Sequence, residues 1–258
     1  ATSSCARDSA STSRSASRTT PLRARIPPAI CTRRSGWGGL SPIDQLGVDA
    51  WDGPDGPGAG WVRDIAEDPK GFIWVATPNG LARFDGRRFR RFTAVETPGL
   101  PHNGIRSLAL GLDGRLWLGL DHGGIRAMRN GLIEAPAQAT AFPSDIEVVD
   151  LVVDRQDVLW VATPQGLWRL AGGTARQVRP GDIRSLALSG DVLWVRTRND
   201  GLWKVEGGRI SEHPDVPGCA GSWVAANPAG ALYTSCALGI WRWDAAASAW
   251  SPISDASG

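Results

Sequence analysis

From Trp61 onward, hydrophobic and polar positions are organised in short runs. Ile105-Arg106-Ser107-Leu108-Ala109-Leu110 has the two-residue alternation of a strand with two unlike faces. A tight turn follows it at Asp113-Gly114, as it does at Asp68-Pro69-Lys70-Gly71, Gln156-Asp157, Gly190-Asp191 and Asn227-Pro228-Ala229-Gly230. Asp-Gly and Asn-Pro-x-Gly supply the positive or preset φ that a hairpin needs. The next run is apolar on both parities and carries an aromatic, as in Leu159-Trp160-Val161-Ala162-Thr163. A second turn ends in Gly80, Gly124, Gly166, Gly201 or Gly239 and opens a third strand such as Gly80-Leu81-Ala82-Arg83-Phe84. The last run, Arg88 to Thr93 in the first copy, is polar enough for an outer edge.

The pattern repeats. Segments beginning at Val62, Ile105, Val148, Ile183 and Trp223 align, with Trp74, Trp117, Trp160, Trp194 and Tyr233 in one column at spacings of 43, 43, 34 and 39 residues. Four antiparallel strands recurring at this period predict an all-β fold, a β-propeller of four-stranded blades. About five blades are visible, near residues 62–93, 105–135, 148–179, 183–213 and 223–253. Blades stack face to face, which explains second strands that are apolar on both sides. The tryptophans are expected to wedge between neighbouring blades, and small residues such as Ala109, Ala187 and Ala226 to suit first strands crowded around a central channel. Five blades could close a ring, but the irregular fifth repeat favours an incomplete one.

The sequence Val/Ile-Arg-x-Ile/Leu, an Asp/Gly turn, Leu-Trp-Val-x-Thr and Gly-Leu-x-Arg-Phe-Asp resembles the two-component regulator propeller repeat. Val62–Gly86 is the best copy, followed by Ile105–Gly131 and Ile183–Gly207. The resemblance covers about residues 45–252, and Asp49-Ala50-Trp51 to Gly60-Trp61 resembles the start of such a propeller's first blade. Two departures stand out: Val149 replaces the arginine in the third repeat, and Tyr233-Thr234-Ser235 replaces Trp-Val-x in the fifth. The resemblance implies the periplasmic sensory region of a bacterial membrane receptor, part of a seven-bladed ring. It also implies further blades and an output domain, a histidine kinase or diguanylate cyclase, in the parent protein; this chain carries no motif of either output.

Composition adds little to the fold and something to the ends. Residues 1–40 are rich in Ser, Thr, Arg, Ala and Pro without hydrophobic period and are expected to be a disordered tail, with structure from residue 41 and a strand over Leu46–Trp51. That tail holds seven Arg and one Asp, so the overall charge of +2 hides a mildly acidic body of net −4. Such a body gives no electrostatic case for a nucleic acid partner. No apolar run is long enough to span a membrane. The chain opens on Ala1 rather than Met, and is expected to be incomplete at its N-terminus, processed or cut.

Catalytic signatures are missing: there is no Gly-x-Ser-x-Gly elbow, His-Glu-x-x-His or phosphate-cradling loop. The three histidines, His102, His122 and His213, are all expected in loops, and no cofactor or metal is expected. Cys219 and Cys236 come close enough for a disulfide if the turn between them folds as a hairpin, the alternative being two separate thiols. In the strand order of a propeller, loops entering first strands and loops joining second to third strands share one face. That face would gather Arg63, His102, Asn103, Arg106, Asp121, His122, Arg184, Arg198, Asn199 and Asp200. Their mixture of donors and acceptors suits a polar small molecule or oligosaccharide. The expected function is a non-catalytic ligand-sensing module, able to form a homodimer through an exposed blade edge. Two alternatives remain: a lyase resembling the propeller enzymes that act on cyclic peptide antibiotics, and a protein-binding scaffold.

Overall fold

The structure is a computed structural model that describes residues 55–58, 60–136, 142–218, 223–227, 230–236 and 238–253. The expected tail and the expected strand over 46–51 lie outside the described residues. All described strands belong to one compact unit, Asp52–Gly258.

Among the described residues, twenty strands form five four-stranded antiparallel meanders. Blade 1 holds β1 (Asp64–Glu67), β2 (Ile73–Thr77), β3 (Gly80–Phe84) and β4 (Phe89–Phe92). Blade 2 holds β5 (Ile105–Leu110), β6 (Leu116–Leu120), β7 (Ile125–Arg129) and β8 (Leu132–Glu134). Blade 3 holds β9 (Asp150–Val153), β10 (Leu159–Thr163), β11 (Gly166–Ala171) and β12 (Thr174–Pro180). Blade 4 holds β13 (Ile183–Ser189), β14 (Val192–Thr197), β15 (Leu202–Glu206) and β16 (Arg209–His213). Blade 5 holds β17 (Trp223–Ala226), β18 (Leu232–Cys236), β19 (Gly239–Asp244) and β20 (Ala249–Pro252). The protein is a β-propeller of five blades over these residues. No helix among the described residues is long and apolar enough to cross a membrane.

Each second-strand tryptophan packs against the blade that follows. Trp74 shares a buried cluster with Leu108, Leu116 and Leu118 of blade 2, Trp117 with Leu151, Leu159 and Val161 of blade 3, and Trp160 with Leu186, Leu193 and Val195 of blade 4. Trp194, only partly buried, meets Val224, Leu232, Trp243 and Trp250 of blade 5. Ala109 and Ala187 stand directly opposite Trp117 and Trp194 in the ladder, where a small side chain leaves room for the indole. Two of the indoles are also pinned from below: Trp74 Nε1 donates to Asp68 Oδ2 at 2.9 Å and Trp160 Nε1 to Asp154 Oδ2 at 2.8 Å. The same carboxylates accept turn N–H groups, so one Asp both closes the hairpin and fixes the wedge.

A second set of bonds ties the inner strands together. Asp64, Ser107, Asp150 and Ser185 occupy the same variable position of four successive repeats. Asp64 Oδ2 accepts from Leu108 N at 2.7 Å and faces Ser107 Oγ at 3.2 Å. Ser107 Oγ accepts from Leu151 N at 3.0 Å and lies 3.1 Å from Asp150 Oδ1, and Asp150 Oδ2 accepts from Leu186 N at 2.8 Å. Ser185 Oγ donates to Val224 O at 3.2 Å. Burial raises the Asp150 carboxyl to about 6, with the Asp64 charge adding to the effect, and burial raises Asp64 as well. A single hydroxyl proton cannot serve two carboxylates, so a shared second proton suits this arrangement.

His213 departs from the expectation that all three histidines sit in loops. It ends β16, and its ring packs 4.8 Å from Trp194, 4.4 Å from Trp243 and 6.3 Å from Trp250, between blades 4 and 5. Exposure along β16 does not alternate, with Ile210 and His213 half-buried and Ser211 and Glu212 both exposed, so the strand's polar sequence does not advertise this placement. Cys236 is disulfide-bonded, while Cys219, the partner considered from the sequence, lies outside the described residues.

Candidate functional site on the inner-strand face

Two of the expected site arginines owe their placement to a backbone irregularity. In blade 2, Ile105 pairs with Leu120 and Ser107 with Gly119, leaving Arg106 as the additional residue of a bulge; in blade 4, Ile183 and Ser185 pair with Thr197 and Arg196, leaving Arg184 in the same position. A bulge re-aims the side chain it carries. The loops leading into these strands meet the turns between second and third strands through backbone bonds, Asp121 N to Gly104 O at 2.9 Å and Arg198 N to Asp182 O at 2.8 Å.

The result is two polar clusters. In the first, Asp121 joins two blades: its Oδ2 accepts from Arg63 Nη1 at 2.7 Å and its Oδ1 forms an ion pair with Arg106 Nε at 3.0 Å. Arg106 Nη1 also pairs with Glu147 Oε1. Gly104 permits this, because a Cβ there would stand 2.3 Å from Asp121 Oδ2. His102 and His122 lie beside the network, exposed, with ring centroids 6.4 Å apart and edge to face. Asn103 is turned away, its Oδ1 accepting from Ala94 N at 2.7 Å.

In the second cluster, Asp182 Oδ2 accepts from Arg184 Nη2 at 2.8 Å and from Arg198 Nε at 2.6 Å. Asp182 Oδ1 and Arg184 Nε are buried without a hydrogen-bond partner among the described residues. Asp200 pairs with Arg179 Nη2 at 3.3 Å, and the Arg179 guanidinium lies 4.2 Å from the centroid of Trp203. Asn199 is exposed between them.

The structure thus brings together Arg63, Arg106 and Asp121 on one side, Arg184 and Arg198 on the other, and the two histidines with each other. Sequence reasoning missed Glu147, Asp182, Arg179 and Trp203. It also missed Arg196, almost fully buried and paired with Asp215 at 2.6 Å. Arg196 had a signal: it stands where Ala76, Gly119 and Ala162 occupy the corresponding ladder positions, so a long cation there demands a partner. Chemically, the clusters present neutralised ion pairs with spare donors and acceptors, the makings of a recognition surface. Among the described residues, no three His, Cys, Asp or Glu side chains group as metal ligands.

Comparison with known proteins agrees with the repeat reading. Residues 56–79 match the two component regulator propeller family. No curated protein matches the chain. Among solved structures, the chain is similar to the extracellular domain of the B. thetaiotaomicron protein BT4673, described as a one component system, with TM-score 0.61 and 23% identity. That similarity covers 73% of this chain and 28% of the other. It is similar too to the extracellular domain of the hybrid two component system BT3049 of the same organism, with TM-score 0.63, 18% identity and coverage of 75% and 30%. Virginiamycin B lyase from Staphylococcus aureus matches with TM-score 0.60, 16% identity and coverage of 76% and 71%. At these identities the likeness is one of fold, and the chain spans less than a third of the two extracellular domains.

Proposed function

We propose that this chain is a non-catalytic, ligand-sensing part of a signal-transduction propeller, acting outside the cytoplasm. The observation that carries the reading is the inner-strand face. Bulges aim Arg106 and Arg184 at it, and Asp182 Oδ1 and Arg184 Nε are buried there without hydrogen-bond partners among the described residues. An unpaired buried polar atom is costly, and a ligand hydroxyl can satisfy a carboxylate oxygen and a guanidinium N–H together. A polar small molecule or oligosaccharide is the matching ligand class. The regulator-propeller repeat and the fold shared with extracellular domains of one component and hybrid two component systems support a signalling context. In that context further blades and an output domain belong to the parent protein, and binding biases the state the output adopts.

The test is calorimetric titration with a panel of neutral oligosaccharides. Saturable binding, weakened about tenfold or more in Arg184→Met, supports the reading; binding that is absent, or indifferent to both Arg184→Met and Arg106→Met, overturns it.

The lyase reading has one observation in its favour, the His102–His122 pair beside Asp121. Both oxygens of Asp121 are, however, engaged by Arg63 and Arg106. Metal-dependent elimination on a cyclic depsipeptide, lost in His122→Ala, would establish that chemistry instead.

A further inference from the structure

Every site arginine on the inner-strand face has a carboxylate partner. At the opposite end of blades 1 and 2 the balance is different. A groove of about 480 Å³ opens between them, beside the turns at Asp68–Lys70, Asp113–Gly114 and Asn130–Gly131. Its volume is that of a small-molecule site. Trp74, Phe92, Leu116 and Met128, all buried, give it an apolar floor.

Its wall is a row of cross-strand neighbours. Trp74 pairs with Arg83 across β2 and β3, and Arg83 with Arg90 across β3 and β4, which places the three side chains on one face of the blade. Like charges directly opposite in a ladder repel. Both guanidinium groups are nevertheless held in place by rings: Arg83 lies 4.3 Å from the centroid of Phe72 and 5.7 Å from that of Trp74, and Arg90 lies 5.0 Å from that of Phe92. Arg83 Nε is buried and has no hydrogen-bond partner among the described residues. The groove's own acids are committed elsewhere. Asp68 holds the Trp74 indole and the N–H groups of Lys70 and Phe72, and Asp113 pairs with Arg115 at 3.2 Å.

We propose that this groove is a binding site for a small carboxylate with an apolar body. Its carboxylate is recognised by the fork of Arg83 together with Arg90, and its apolar part lies on the floor between the blades. A planar guanidinium offers two parallel N–H groups to a carboxylate, and an anion between Arg83 and Arg90 turns their repulsion into a joint attraction. Blade 3 supplies an internal control. Trp160, Arg169 and Arg176 form the same row, and Arg176 is exposed as Arg90 is, but Arg169 is exposed to solvent where Arg83 is half-buried.

Phenylacetate is the probe, with acetate lacking the apolar body and benzyl alcohol lacking the charge. Isothermal titration should show saturable phenylacetate binding, weakened about tenfold or more by Arg83→Met and also by Arg90→Met, and unchanged by Arg169→Met. Acetate and benzyl alcohol should each bind more weakly than phenylacetate, and the indole N–H resonance of Trp74, assigned by Trp74→Phe, should move on titration. Thermal melts of each variant check the fold; if Arg83→Met unfolds, Arg83→Lys, which keeps the charge and loses the fork, carries the same test. Absence of saturable phenylacetate binding, or binding equal in wild type and the folded Arg83 and Arg90 variants, overturns the proposal. Neither result bears on oligosaccharide binding at the other face.

Discussion

The middle of the blade stack and its ends hold the same sequence positions at very different exposures. Leu108, Leu151 and Leu186 are 6, 3 and 5% exposed, whereas Ile65, their counterpart in blade 1, is 59% exposed. In the third strands, Leu81, Ile125, Leu167 and Leu202 are at most 1% exposed, whereas Ile240 of blade 5 is 51% exposed. The residue types are the same; the neighbour differs. Each interior leucine shares a cluster with the tryptophan of the blade before it, and each Gly-Leu or Gly-Ile side chain with the blade after. A propeller blade therefore carries its hydrophobic pattern as a half-interface, and stability is a sum over neighbouring pairs, as in other repeat arrays.

The largest expected effect tests that claim directly. Trp160→Ala removes a buried indole from the blade 3–4 cluster and strands Asp154 Oδ2, and should cost about 3–5 kcal/mol in urea unfolding. Tyr233→Ala, the same column at the end of the stack, should cost less than about 1 kcal/mol, since half-exposed positions lose little on truncation. Equal costs at the two positions would break the comparison between interior and end.

Next comes pH, where the two regions should respond with opposite sign. Asp150 in the inner-strand belt is raised to about 6 by burial, above its unfolded value of 3.8. Its native state then binds the proton more tightly than the unfolded chain. The stabilisation is complete below pH 3.8 and is lost as pH rises through about 6, a difference of about 3 kcal/mol at most. His213, between blades 4 and 5, is lowered by burial. Its contribution is present above its unfolded value of 6.5 and fades as pH falls below it, loosening the end while the belt tightens. Unfolding midpoints from pH 4 to 8 should show that Asp150→Asn flattens the acid-side gain and His213→Phe removes the acid-side loss. A profile unchanged by Asp150→Asn would mean that the shared-proton account of the belt is wrong.

These contrasts also explain what the sequence made legible. The wedge tryptophans stood out because a large ring recurring every blade must find a large surface, and that surface is supplied by the next copy of the same pattern. The belt residues did not. Asp64, Ser107, Asp150 and Ser185 read as ordinary variable polar positions, since each finds its partner one repeat away and inside another sheet. On the inner-strand face, Arg63, Arg106 and Arg184 form a visible column, but Glu147 and Asp182 sit in non-repeating connections where periodicity gives no guidance. Arg83 and Arg90 required the register of β3 and β4, because which residues face each other depends on the length of the turn between Phe84 and Phe89.

The smallest expected effect is the most informative about the ends. Leu151→Thr, in the blade 2–3 cluster, should destabilise by about 2–3 kcal/mol through lost burial and a hydroxyl placed among apolar neighbours. Ile65→Thr and Ile240→Thr change the same chemistry at exposed positions and should each stay within about 0.5 kcal/mol of wild type. If Ile65→Thr instead costs as much as Leu151→Thr in the isolated chain, then Ile65 is covered in solution, and self-association through this edge becomes the direct explanation. Sedimentation of both proteins at matched concentrations would then separate the two cases: a covered edge makes the Ile65→Thr protein lighter as well as weaker, whereas a bare edge leaves the mass unchanged.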